Sequence, residues 1–94
     1  MFYYVYVLKS EKDNNNYVGY TKDLKERLTE HNDGKVNSTK YRTPLKLIYF
    51  EGCLNQQDAT KREKYLKTAW GKRYIKSRLV NYLTGWIKQP MIWF

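Results

Sequence analysis

Tyr17-Val18-Gly19-Tyr20-Thr21-Lys22-Asp23-Leu24-Lys25-Glu26-Arg27-Leu28-Thr29-Glu30-His31 is the stretch that decides the fold. Tyr17 to Tyr20 reads as a strand rich in aromatic residues, and Thr21 or Asp23 can cap the helix that follows. That helix should run from about Leu24 to Asn32 and end before Gly34. At about 100° per residue, Leu24, Arg27, Leu28 and His31 share one stripe, so a guanidinium and an imidazole turn inward with two leucines. Lys25, Glu26 and Glu30 are left for the outer face.

Upstream, Phe2 to Lys9 is apolar on both alternating faces, as in a strand buried on two sides in the middle of a sheet. Asp13 to Asn16 is a turn cluster, so the first two strands should form an antiparallel hairpin. Downstream, Gly34 to Thr43 is polar and Pro44 forbids a helix across its end, which predicts a mobile surface loop. Leu45 to Glu51 alternates enough for a third strand. Asn55 or Gln56 opens a second helix, Gln57 to about Thr68, and Gly71 is expected to break it from a third over residues 72–79. On the second helix Glu63 interrupts an apolar stripe of Ala59, Leu66 and Trp70. The order strand, strand, helix, strand, helix, helix predicts an α/β or α+β unit, a small three-stranded sheet flanked by helices.

Ninety-four residues suffice for one core and no second one. With 41% hydrophobic and 17% aromatic residues, the chain belongs with folded globules rather than disordered tails. Eighteen Lys and Arg against nine Asp and Glu leave a formal charge of +9, which favours polyanionic partners, nucleic acid first. The acidic residues stop at Glu63, so the last third is nearly all cationic. Cys53 is the only cysteine, which excludes an internal disulfide and a Cys-rich zinc site and suits a reducing compartment. No stretch approaches the roughly 20 apolar residues of a membrane span, and the cytoplasm is the expected location. Residues 1–80 are read as the domain and 81–94 as an aromatic tail that packs on it or on a partner.

Tyr4-Val5-Tyr6, a hairpin, Tyr17-Val18-Gly19, then Arg27, His31 and Glu63 form an ordered set that resembles the GIY-YIG nuclease superfamily, in particular its small members related to the nuclease domain of the UvrC repair subunit. The resemblance covers about residues 2 to 80, with Tyr4 standing where the first motif of the family carries glycine. It implies hydrolysis of a phosphodiester by water with one divalent cation, Mg²⁺ or Mn²⁺. Glu63 would hold the cation, for which one protein carboxylate plus substrate phosphate is enough. Arg27 would offer forked donors to phosphate oxygens, or else pair with Glu30 or Glu26. Tyr6 or Tyr17 would activate the attacking water while the other positions it, and His31 would accept or relay the proton. An unperturbed phenol has a pKa of ~10, so a cationic surrounding of Arg27, His31 and metal is needed for either tyrosine to ionise.

Gly19, Lys22, Lys40, Arg42 and Lys67 are candidate nucleic-acid contacts, Gly19 either because a side chain would block the approach of phosphate or because the position needs φ > 0. The expected substrate is DNA, with RNA not excluded, in a structured, damaged or single-stranded form, because so small a chain has little area for base readout. A protein partner supplying specificity is expected as well. Two other classes stay open: a nucleic-acid-binding module without turnover, and an interaction subunit that uses the aromatic tail.

Overall fold

In a chain so rich in tyrosine and β-branched residues near its N-terminus, the first strand is the natural centre of a sheet, and the structure places it there. The computed structural model describes residues 1–84. They fall into two compact units, Met1 to Lys64 and a second that begins at Tyr65.

The first unit is built on an antiparallel sheet in the order β2-β1-β3, with β1 at Tyr3–Ser10, β2 at Asn16–Thr21 and β3 at Leu45–Cys53. The register sets Tyr6 opposite Gly19 on one side and Phe50 on the other, and Tyr4 opposite Thr21 and Gly52. Tyr4, Tyr6 and Leu8 therefore share one face, while Val5 and Val7 point to the other. Val5, Tyr6, Val7 and Leu8 are all buried, which is the two-sided burial expected of a central strand.

Helix α1 spans Leu24–Asn32. Asp23 caps it, its carboxylate accepting the Glu26 amide at 3.0 Å. Leu24 and Leu28 pack with Leu47 and Tyr17 against a core of Tyr6, Leu8 and Leu45. Fully burying side chains of this size contributes about 1.5–3 kcal/mol each, so this face is a main source of the unit's stability. Helix α2 spans Gln56–Leu66 and is capped by Asn55, whose side-chain oxygen accepts the Asp58 amide at 3.0 Å. Arg62 of α2 forms a two-pronged ion pair with Glu51 of β3, both contacts at 2.9 Å.

The segment between α1 and β3 corrects the expectation of a mobile loop. Val36 and Thr39 are buried, and amides of residues 39 and 42 bond back to carbonyls of residues 36 and 39. Arg42 ties it to the β1–β2 turn through Asp13, at 2.7 and 3.3 Å, and through the Asn15 carbonyl at 3.1 Å. The Ser10 hydroxyl donates to the Arg42 carbonyl at 2.6 Å. A polar composition signalled exposure, but paired polar groups can be held in place as firmly as apolar ones.

In the second unit α3 spans Ala69–Arg78 and α4 spans Val80–Thr84. Gly71 is not the break that the sequence suggests. Thr68 starts α3 by accepting the Gly71 amide on its hydroxyl at 3.2 Å. A Cβ at position 71 would collide with the Tyr65 carbonyl and the Leu66 backbone, so glycine is there for close approach rather than to end a helix. Trp70 also leaves the expected stripe: it sits on α3, 68% exposed, with Arg73 stacked on its ring at 4.4 Å. The expected tail begins inside α4, and its residues from 85 onward lie outside the described residues.

Candidate active site

Pairing β1 with β2 and laying α1 across them brings Tyr6, Tyr17, Arg27 and His31 together. His31 occupies the last turn of α1 and is fully buried. Its Nε2 lies 2.8 Å from the Tyr6 hydroxyl, and its Nδ1 lies 2.7 Å from the Thr39 hydroxyl. The Tyr17 ring meets the imidazole edge to face, centroids 5.1 Å apart, and Tyr6 does the same at 5.7 Å. The imidazole is thus fixed by two hydrogen bonds and two rings.

Arg27, one turn earlier, is half-buried and ion-paired with Glu30 at 2.9 Å. It is also directed at the Tyr6 oxygen, where its charge favours the ionised phenol. Glu63 is half-buried on α2, and its charge acts on the same phenol in the opposite sense. Tyr6 is therefore the point on which the arginine, the imidazole and the carboxylate all bear.

The electrostatics correct one expectation. Burial raises the Tyr6 pKa, and Arg27 offsets this only in part. Burial, with Arg27 adding repulsion, lowers His31 to about 4, so it is neutral near pH 7 and is not a cation that could ionise a phenol. The pair at neutral pH is a phenol beside a neutral imidazole. With Arg27 directed at the phenol oxygen, we assign the Tyr6 proton to the bond with Nε2, which leaves the imidazole proton on Nδ1, donated to Thr39.

Gly19 is buried, and φ is not positive there. A Cβ at this position would run into the Tyr6 hydroxyl and ring carbons, so the Tyr6 ring, which lies over the strand, by itself requires glycine there. Arg42, expected to meet nucleic acid, is engaged by Asp13 and Asn15 as described. Lys22 is exposed at the edge of a surface groove, and Lys40 is exposed 5.1 Å from the Tyr41 ring centroid. Lys67 is exposed and belongs to the second unit.

Thr39 is the site residue that sequence reasoning missed. Its place in a Ser-, Thr- and Asn-rich run gives no periodic signal, and only the fold shows that it lies against the one histidine. A single weak hint was available: a lone inward-facing histidine needs a partner for its second nitrogen.

These elements match a known family. A family model described as the GIY-YIG catalytic domain matches residues 2–76. The chain is 37% identical over 92 residues to the UPF0213 protein YazA of Bacillus subtilis strain 168, covering 94% of this chain and 92% of YazA. It is 45% identical over 65 residues to the UPF0213 protein CPE1444 of Clostridium perfringens, 68% of this chain and 69% of that one. The solution NMR structure of the UPF0213 protein BH0048 from Bacillus halodurans superposes with a TM-score of 0.52 at 30% identity, covering 82% of this chain and 84% of that one. The chain belongs to the GIY-YIG family, with a nuclease-type domain in the three-stranded α+β fold of that group.

Proposed function

We propose that this protein is an endonuclease that hydrolyses phosphodiester bonds of DNA with the help of one divalent cation, Mg²⁺ or Mn²⁺. The observation that carries this reading is the meeting of Arg27 and His31 at the Tyr6 phenol, where the charge of Glu63 is also felt.

The donor set fits a single hydrated hard cation. Among the described residues no group of three or more His, Cys, Asp or Glu side chains gathers as a closed metal cage. Both His31 nitrogens are already bonded, to Tyr6 and Thr39. Glu63 would hold the cation, as the family resemblance implies, since one carboxylate is sufficient for Mg²⁺, which keeps several waters and takes further oxygens from substrate phosphate. When bound, such a cation stabilises charge on the phosphoryl and leaving oxygens.

Tyr6 and His31 move the proton. Because the phenol keeps its proton at neutral pH, it acts as a relay rather than as a preformed phenolate. Its oxygen takes a proton from the attacking water while its own proton passes to His31 Nε2. The water oxygen then bonds to phosphorus, and the bond from phosphorus to the leaving oxygen breaks. Imidazolium is disfavoured in this buried place, so His31 returns the proton through the Tyr6 hydroxyl to solvent, the leaving oxygen takes a proton from water, and the cycle closes. Thr39 bonds the second imidazole nitrogen and so holds the ring with Nε2 against the phenol. Arg27 supplies fixed donors for the charge that builds on the phosphate oxygens. Tyr17 holds the imidazole in place from the side.

The test is incubation of purified protein with flap, forked, hairpin and linear DNA in Mg²⁺, Mn²⁺ or chelator. Cleavage that needs metal and disappears in Glu63→Gln is the expected result. Equal cleavage by wild type and Glu63→Gln would remove the reading.

A further inference from the structure

Beyond Tyr6 the same face of the sheet carries three rings that the proton relay does not use. Phe2 and Phe50 are 48% and 52% exposed. Tyr4 joins them, its ring centroid 6.3 Å from that of Phe2 and 6.1 Å from that of Phe50. Gly52, opposite Tyr4 in register, leaves room for them: a Cβ there would come within 3.3 Å of both the Phe2 and Tyr4 rings. An exposed aromatic cluster laid over a glycine is unusual on a small domain, because such area is normally buried.

Next to the rings lies an open groove of about 540 Å³, with Tyr4, Phe50, Leu24 and Leu28 in its lining and Lys22 and Lys25 beside them. Asp23 also borders it, but its carboxylate is committed to the α1 cap. The groove therefore offers π faces and apolar floor with two ammonium groups nearby. Bases present stackable faces and phosphates present negative charge, so an unpaired nucleotide satisfies both, whereas the stacked bases of a duplex do not. The net charge of +9 favours the same occupant.

Register gives the groove its meaning. Phe50 is directly opposite Tyr6, and Tyr4 is two residues along β1 on the same face, about 7 Å away by strand rise. We propose that Phe2, Tyr4 and Phe50 are a stacking platform for unpaired bases, with Lys22 and Lys25 on that strand's phosphates, so that the substrate is held as single strand beside the bond to be cut. This rests on the reading of Tyr6 as the reaction centre and names the substrate form it serves.

The experiment is fluorescence anisotropy in chelator, where no turnover occurs, with a fluorescein-labelled oligothymidylate and a blunt hairpin duplex as probes. Phe50→Ala and Tyr4→Ala should each weaken oligothymidylate binding by about 5- to 100-fold and leave the duplex unchanged. Phe50→Trp should retain affinity, and Phe50→Leu, which keeps apolar area but no π face, should not. Lys22→Ala and Lys25→Ala should each flatten the salt dependence for the single strand by about 0.7 in log–log slope. Wild-type affinity in both alanine variants overturns the platform, as does equal weakening toward both probes. Light scattering that shows a dimer dissolved by Phe50→Ala, with oligothymidylate binding intact, gives the face to a second copy and also overturns it. Because binding is read without metal, absence of cleavage would count against the nuclease reading alone.

Discussion

Tyr4 and Tyr6 are two residues apart on one strand and one face, yet they end in opposite surroundings. Tyr6 is 1% exposed with its hydroxyl against His31, while Tyr4 lies half-buried among exposed rings at the open end of the sheet. The difference comes from what covers them. Leu24 and Leu28 of α1 close over the core around Tyr6, and the segment after α1 seals His31 with Thr39. A strand's alternation assigns a face, but the covering layer decides whether a phenol on that face is buried against an imidazole or left toward solvent.

The comparison breaks most sharply on removal of the two hydroxyls. Tyr6→Phe should lower metal-dependent cleavage by about 10²- to 10⁴-fold, the usual worth of a positioned proton-transfer group, while Tyr4→Phe, which keeps the ring, stays near wild type in the same assay on single-stranded DNA. Arg27→Ala should cost about 10²- to 10³-fold, with Arg27→Lys recovering only part because the planar fork is lost.

Acid should act on the covered end alone. The unfolded chain takes up a proton on His31 near its ordinary 6.5, but the native one does so only at about 4. Stability is therefore unaffected above that window, falls as pH drops through it and levels off below, with a total loss of about 3 kcal/mol. Urea titrations at intervals of pH should show this slope, and His31→Gln should flatten it. Asp13 and Glu51, held below their ordinary values in ion pairs with Arg42 and Arg62, lose their contributions only in more acid solution.

Two glycines under tyrosine rings sharpen the contrast further. Gly19→Ala must displace the packed Tyr6 ring and should cost about 1–3 kcal/mol by thermal unfolding. Gly52→Ala meets rings at 3.3 Å that can shift toward solvent, and its cost should be smaller. Finally, Thr39→Val keeps the shape but leaves the His31 Nδ1 proton unpaired. That should cost about 1–3 kcal/mol and reverse the imidazole tautomer preference in ¹⁵N NMR, with Thr39→Ser restoring both.

Several of these contrasts were legible in the chain. The helical phase of Leu24, Arg27, Leu28 and His31 follows from residue spacing, and the apolar run from Phe2 to Lys9 marks a central strand. Both depend on short-range periodicity. Thr39 and Arg42 were not legible as structural residues, because a polar run looks the same in sequence whether its groups bond to water or to His31, Asp13 and Asn15. Gly19 and Gly71 each make room for a close neighbour, Tyr6 or the backbone at Tyr65 and Leu66, which no local pattern shows; Gly19 has no positive φ and Gly71 is no break.

By itself the sequence determined the order of elements, the antiparallel hairpin, the central strand and the set of residue types that meet on one face, since all of these follow from periods of two and of about 3.6 in the local chain. Only the tertiary structure decided that burial favours the neutral forms of the Tyr6 phenol and of His31, that Thr39 bonds the second imidazole nitrogen, and that Phe2 and Phe50 lie exposed beside a half-buried Tyr4. Those properties depend on burial and on partners that the fold brings together from distant positions, and no local pattern encodes either.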